Sequence, residues 1–342
     1  MDIGLLTLGD LLPDPATGKK LTPAARHRQI VDLGVRAEEM GFDLFSVGEH
    51  HLCDYVLSAP PVVLAAVAAR TERIRLSTGV TLIGSLDPLR VAEDYATLDA
   101  ISNGRVEVVV GRGIVRRTYR DLGYDPEQSQ ALFTEHVEAL LEFWAKDKSD
   151  WPSRGLQAVT AQPRPEQKPH PPVWIGSASE ISVDRAASLG LPLMLPTVVR
   201  PLQDFQPMVD RYREKFKPTV HGSQPRVGAV SYAHIAASSD EARRRWMPHQ
   251  MGYLGWAMQV FVPWGEVNFG PNLLPTKMPT FEDICSFSMC GSADEVIDKT
   301  NRVCEALDLD VQLAMFDQGG MPQALLDESV QRFAEEVMPH IR

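Results

Sequence analysis

The chain of 342 residues has no apolar run long enough to span a bilayer. Its longest apolar stretches, Tyr55 to Ala69 and Val106 to Val110, are too short or are interrupted by proline. Cysteine is scarce too. Cys53, Cys285, Cys290 and Cys304 form no CxxC pair, which excludes a dithiol redox site, a zinc ribbon and a disulfide scaffold, so reduced, buried thiols are expected. Basic charge is in deficit: 34 Lys and Arg stand against 45 Asp and Glu, a net charge of −11. Such a surface repels phosphate backbones and anionic head groups, so neither nucleic acid nor membrane is an expected partner. The start, Met1-Asp2-Ile3-Gly4, lacks a basic region followed by an apolar one, no secretory signal is read there, and the cytoplasm is the expected location. What is present, 44% hydrophobic and 23% charged residues, is the composition of a soluble globular protein of one large or two average domains.

Short apolar runs alternate with amphipathic ones. Strands are predicted at Ile3–Leu8, Phe42–Val47, Ile74–Leu82, Val106–Val110, Val173–Ile175, Leu191–Leu195, Arg226–Ile235 and Val311–Phe316. Helices are predicted at Pro23–Met40, Pro60–Ala69, Pro88–Ile101, Glu127–Trp144, Glu180–Leu189, Leu202–Phe216, from Ser239, at Ser292–Leu307 and at Pro322–Met338. Gly41 and Ser102-Asn103-Gly104 supply stop signals. Two stretches break the rhythm. Residues 150–172 are rich in proline and read as an excursion with a small hairpin through Leu156–Ala161, and residues 258–291 read as an insertion. Eight βα units with nearly continuous apolar strands imply a closed (β/α)8 TIM barrel with insertions, one domain over residues 1–342. An open doubly wound sheet is the weaker alternative, since no early strand leads into GxGxxG.

A barrel places its active site at the C-terminal ends of the strands, so the residues after each strand carry the chemistry. Strand two leads to Glu49-His50-His51; neighbouring side chains there diverge, so one His faces the cavity as a general acid or base. A metal reading lacks a third ligand. No HExxH is present, and His27, His136, His170, His221, His234, His249 and His340 are scattered singly. Strand four runs into Gly111-Arg112-Gly113-Ile114, and strand five into Gly176-Ser177-Ala178-Ser179 at the start of a helix, with Ser182 one turn on. Backbone N–H groups at a helix start attract anions, and the Arg112 guanidinium can clamp a phosphate between the two strand ends. An ordinary serine cap is the plainer reading of Ser179. Arg116, Arg117 and Arg120 complete a short basic cluster, and strand eight ends in Asp317-Gln318-Gly319-Gly320.

The ordered runs Val47-Gly48-Glu49-His50-His51, Ser102-Asn103-Gly104-Arg105 with Gly111-Arg112-Gly113, Pro172-Val173-Trp174-Ile175-Gly176-Ser177-Ala178-Ser179, Gly319-Gly320-Met321-Pro322 and Phe333-Ala334-Glu335-Glu336-Val337-Met338-Pro339 resemble the bacterial luciferase-like flavin-dependent monooxygenases over nearly the whole chain. The resemblance implies an oxidoreductase that takes reduced FMN from a separate flavin reductase and uses O2 as co-substrate. It would oxygenate a moderately apolar small molecule through a peroxyflavin intermediate, working as a homodimer. It implies His50 as the catalytic histidine, Arg112, Ser179 and Ser182 as phosphate contacts, Ala178 and Gly113 beside them, and Ile114 near the ring. It also implies a non-proline cis peptide at Gly79-Val80 beside the flavin. Two positions depart from the luciferases themselves: Gly111 replaces a reactive cysteine and Ala178 an acidic residue, so light emission is not implied. The insertion carries Phe261, Trp264, Phe269 and Phe287 and reads as a lid or subunit contact. A deazaflavin-dependent hydride-transfer enzyme of the same superfamily and a non-catalytic flavin-binding protein are the alternative readings.

Overall fold

The computed structural model describes residues 1–177, 179–198, 201, 204–261 and 279–341. In chain order the elements are β1 (Asp2–Thr7), α1 (Pro23–Glu39), β2 (Leu44–Val47), α2 (Pro60–Ala68), β3 (Arg75–Thr78), α3 (Pro88–Ser102), β4 (Val106–Val110), α4 (Arg116–Asp121), α5 (Ser129–Ala145), β5 (Ser149–Trp151) and β6 (Leu156–Val159). There follow β7 (Val173–Gly176), α6 (Glu180–Leu189), β8 (Leu193–Leu195), α7 (Gln206–Lys215), β9 (Val227–Ile235), α8 (Ser239–Phe261), α9 (Phe281–Phe287), β10 (Met289–Gly291), α10 (Ala293–Leu307), β11 (Val311–Met315) and α11 (Gln323–Arg332).

Strands β1-β2-β3-β4-β7-β8-β9-β11 pair in that order, and β11 returns to β1. All of these pairings are parallel, with Gly4 beside Leu44 at one seam and Asp2 beside Val311 at the closing one. This is the expected single-domain (β/α)8 barrel. The helices begin where capping chemistry predicts: Thr22 accepts the Ala25 N–H ahead of Pro23, and Asp87 accepts those of Leu89 and Arg90 ahead of Pro88. Asn103 and Gly104, both in the left-handed region, end α3. Helix α1 reaches the barrel at Gly34, where an added Cβ would lie 2.9 Å from both Phe45 and Val67.

Several expectations need correction. Strand β3 stops at Thr78, because the chain turns at Gly79-Val80 and residues 83–85 form a 3-10 turn. Helix α4 went unread, since its six residues, RRTYRD, show no apolar periodicity. The excursion holds a hairpin of β5 and β6, an earlier span than Leu156–Ala161. Regular structure also invades the insertion from both sides. Helix α8 continues through Pro248 to Phe261, and β10 adds parallel to the end of β9 as a strand outside the closed ring. The rest of the lid reading, Trp264 and Phe269 included, lies outside the described residues. The terminal helix ends at Arg332 and gives way to a π turn at Phe333–Val337. Of the four free thiols, Cys53 and Cys304 are only half-buried. Among the described residues no helix is long and apolar enough to cross a membrane, and no three His, Cys, Asp or Glu side chains could hold a metal.

The N-terminal mouth of the barrel is plugged. Arg75 on β3 pairs with Glu107 on β4 and, 2.5 Å away, with Asp2 on β1. That contact joins two strands that β2 separates in the ring. Trp174 on β7 donates its indole N–H to Glu107 over 3.1 Å, and the Arg226 guanidinium lies 4.9 Å from the Trp174 ring. The opposite mouth is left to do chemistry.

Candidate active site

At the end of β2, consecutive side chains diverge. Glu49 is buried and fully engaged: one carboxylate oxygen accepts the Leu82 N–H at 3.0 Å, and the other lies 2.7 Å from His51 Nε2. It thereby ties the loop after β3 to the β2 rim. His50 turns away from both and stacks on Tyr55, with ring centroids 3.9 Å apart and planes 13° apart. Among the described residues neither ring nitrogen of His50 has a hydrogen-bond partner. Burial, assisted by the neighbouring His51, pushes the imidazole down to about 3, so it is neutral at physiological pH. The Tyr55 hydroxyl lies 2.8 Å from that of Tyr253 on α8, and Trp256 meets the Tyr55 ring edge-on.

Beyond β3 the Gly79-Val80 peptide is cis, the geometry the resemblance implies. The Val80 side chain fills space that two glycines leave open. A Cβ at Gly111 or at Gly176 would come within 2.5 Å of a Val80 methyl. This gives a physical reason for Gly111: with Val80 in place, the ends of β4 and β7 have no room for a side chain. Beneath, Thr78 donates to the Val109 carbonyl, which fixes the β3 end against β4, and Thr81 bonds Tyr95 of α3.

Arg112 follows β4, half-buried, and Gly113 after it adopts φ +75°. Tyr119 of α4 donates to the Arg112 carbonyl, passing over Gly84, where a Cβ would strike the phenol oxygen. Burial lowers the Arg112 pKa, yet a guanidinium stays charged. The pairing of Val110 with Ile175 puts Arg112 and Ser177, each two residues further on, at adjacent strand ends. Ser177 Oγ accepts the Ser179 N–H at 3.0 Å, and Ser179 Oγ lies 3.0 Å from Ser182 Oγ and 3.4 Å from the Ser182 N–H it caps. Three hydroxyls thus gather at the N-terminus of α6, beside a strand end that carries a guanidinium. This donor set suits a dianionic phosphate. Ala178 lies outside the described residues. Arg116 pairs with Glu127 beyond α4, and Arg117 with Asp121 at the end of α4.

Across the mouth, the ends of β1 and β11 form a lock. Thr7 and Arg26 both donate to Asp317, and Asp10 accepts the N–H groups of Gly319 and Gly320. Burial pushes Asp10 up to about 6, although Arg26 stands 3.8 Å away and pulls the other way. Gly319 and Gly320 both have positive φ, and a Cβ at either would fall within 2.5 Å of backbone at His249 or Pro13. The segment Asp317–Gly320 is therefore a joint between loops.

Residues 1–307 match the luciferase-like monooxygenase family. The chain belongs to that family. As a luciferase-like monooxygenase it is an oxidoreductase. It is 23% identical to the oxygenase component of the flavin-dependent trigonelline monooxygenase of Acinetobacter baylyi, over 99% of this chain and 95% of that protein. The solved monooxygenase RslO1 from Streptomyces bottropensis is 26% identical with a TM-score of 0.84, covering 100% of both chains. An F420-dependent secondary alcohol dehydrogenase, 19% identical with a TM-score of 0.75 over 100% of this chain and 99% of that one, shares the fold alone.

In this luciferase-like monooxygenase the barrel brings His50, Gly79, Val80, Arg112, Gly113, Ile114, Ser179 and Ser182 to strand ends at one mouth. Sequence reasoning missed Ser177, Tyr55 and Tyr253. Ser177 was legible as a third hydroxyl in the run that holds Ser179. The two tyrosines carried no signal, because 198 positions separate them and only the folded chain joins them.

Proposed function

We propose that the chain is a flavin-dependent monooxygenase that uses reduced FMN, supplied by a separate reductase, and O2 to oxygenate a moderately apolar small organic molecule. The observation that carries this reading is the pairing, on one barrel mouth, of a phosphate-type corner at β4 and β7 with a neutral, half-buried histidine at β2. Reduced flavin would supply the reaction with dioxygen that no amino-acid side chain performs. Arg112 and the hydroxyls of Ser179 and Ser182 would bind the phosphate, with Ala178 and Gly113 beside them. Gly79, Val80 and Ile114 would border the ring, and the bare Gly111 and Gly176 make room for the Val80 side chain there. His50, uncharged, would accept or return a proton at an imidazole nitrogen during oxygen transfer. The separate reductase is supported by the relative described as an oxygenase component.

Binding of reduced FMN, oxidised FMN and F420, followed by rapid mixing with dioxygen, tests the reading. Reduced FMN is expected to bind and to be reoxidised on the protein through a phase distinct from that of free flavin. Affinity for F420 alone, with hydride transfer and no oxygen requirement, would replace the proposal with the deazaflavin reading. Arg112→Ala should weaken FMN by about tenfold to a hundredfold, the cost of one charge-assisted contact, and leave riboflavin nearly untouched. Equal losses for both would move the phosphate elsewhere.

A further inference from the structure

A catalytic histidine is ordinarily aimed by a hydrogen bond to its second ring nitrogen. His50 has none among the described residues. Its backbone is anchored, since its N–H donates to the Leu57 carbonyl at 2.9 Å, and its ring stacks on the face of Tyr55. Tyr55 is itself fixed at both ends. Its backbone bridges Asp10, and the flanking Val56 and Leu11 N–H groups bond Gly9 and Asp54. Its hydroxyl reaches 2.8 Å to Tyr253, and Trp256 closes one edge at a centroid distance of 5.1 Å.

We infer that Tyr55 is the positioning residue for His50, setting the plane of the imidazole by stacking, and that Tyr253 on α8 holds Tyr55 in register through the hydroxyl pair. The inference rests on the proposed role of His50 and adds the device that aims it. A face-to-face stack at 3.9 Å restricts tilt of the ring while leaving both nitrogens open, which a hydrogen bond to one of them would not. Burial keeps both phenols well above the ordinary tyrosine range, so each remains neutral and the pair always has a donor and an acceptor. The pair links α8, which follows β9, to the β2 rim, so displacement of that helix would tilt the imidazole.

The test uses the full chain with isotope-labelled histidine, the His50 signals being assigned by their absence in His50→Ala. Ring current from Tyr55 should shift the His50 C–H signals upfield in the parent protein and, to the same reduced extent as in Tyr253→Phe, in Tyr55→Phe, which keeps the ring but loses the hydroxyl pair. The shift should shrink in Tyr253→Phe and vanish in Tyr55→Leu. With reduced FMN bound, Tyr55→Leu should change the rate of reoxidation by dioxygen about tenfold with FMN affinity held within about twofold. Tyr55→Phe and Tyr253→Phe should each change it about threefold, and the double variant should be no worse than either, because both remove one shared bond. His50 signals unmoved in Tyr253→Phe, or additive losses in the double variant, would overturn the link; Tyr55→Phe and Tyr253→Phe keep the test readable if Tyr55→Leu does not fold. Normal reoxidation in His50→Ala would instead remove the role proposed for His50, with the signal shifts still reporting whether Tyr55 aims it.

Discussion

The two mouths of the barrel treat polar side chains in opposite ways. At the N-terminal mouth, Asp2, Arg75, Glu107, Trp174 and Arg226 answer one another's charges and donors in a network that spans four strands. At the C-terminal mouth, the His50 nitrogens face no partner among the described residues, and the Gln318 amide is buried without a hydrogen bond. The first arrangement minimises the cost of burying charge, and the second leaves capacity for a ligand. Both sit on the same strands, so stability and chemistry should separate cleanly under mutation. The sharpest break is His50→Ala. Oxygen transfer should fall by about 10²–10⁴-fold, the range for a lost general acid or base, while FMN affinity and the urea midpoint barely move. Unaltered product formation in that variant would leave the upper mouth without its proposed base.

Glu107→Ala should do the reverse. It strands the buried Trp174 N–H and one side of the Arg75 guanidinium. Arg75 is about a third exposed, at 29%, so the full cost of breaking a buried pair is screened. A loss of about 2–3 kcal/mol in urea unfolding is expected, with the reoxidation rate per folded molecule unchanged. A rate that fell in step with stability would mean that the two ends are coupled through the strands.

The division between mouths was only partly readable in the chain. The barrel was, because eight apolar runs separated by capped helices admit few closures, and so was the histidine rim, because strand ends in a barrel share one face. Glu107 stood as the one acidic residue within the run Val-Glu-Val-Val-Val, a buried charge announcing a partner, yet nothing in the sequence said that Arg75 and Trp174 were that partner. The Tyr55 and Tyr253 pair was silent for the same reason: contacts made across the barrel top leave no periodicity. Strand β10 escaped because three residues, Met289–Gly291, are too few to show any alternation.

Asp10 lies on the C-terminal side but behaves like the plug, and its titration tells which mouth it belongs to. Its carboxyl rises from 3.8 to about 6, chiefly through burial. The folded chain therefore holds this proton more tightly than the unfolded one. The associated stability is full below about pH 4 and is lost as pH rises through about 6. Asp10→Asn removes the titration but keeps an acceptor for Gly319 and Gly320. Relative to the parent, the variant should gain about 2–3 kcal/mol between about pH 4 and pH 7 in urea unfolding. A difference that stays constant with pH would mean that the Arg26 pairing offsets burial and leaves this carboxyl near its ordinary value, and one that reverses in sign would mean that the pairing outweighs burial.

The smallest effect tests whether the serine cluster belongs to the site or merely to the helix. Ser179 caps α6, so Ser179→Ala should cost about 1 kcal/mol of stability, whereas Ser179→Gly, a tolerable cap, should cost a few tenths. Neither variant has the hydroxyl. If that hydroxyl contacts the FMN phosphate, both variants should weaken FMN by the same few-fold factor, about one neutral hydrogen bond, despite their different stabilities. Affinity that followed stability, recovering in Ser179→Gly, would return Ser179 to the role of an ordinary cap and leave the phosphate to Arg112 and Ser182. Isothermal titration of the two variants beside their urea midpoints decides between these outcomes.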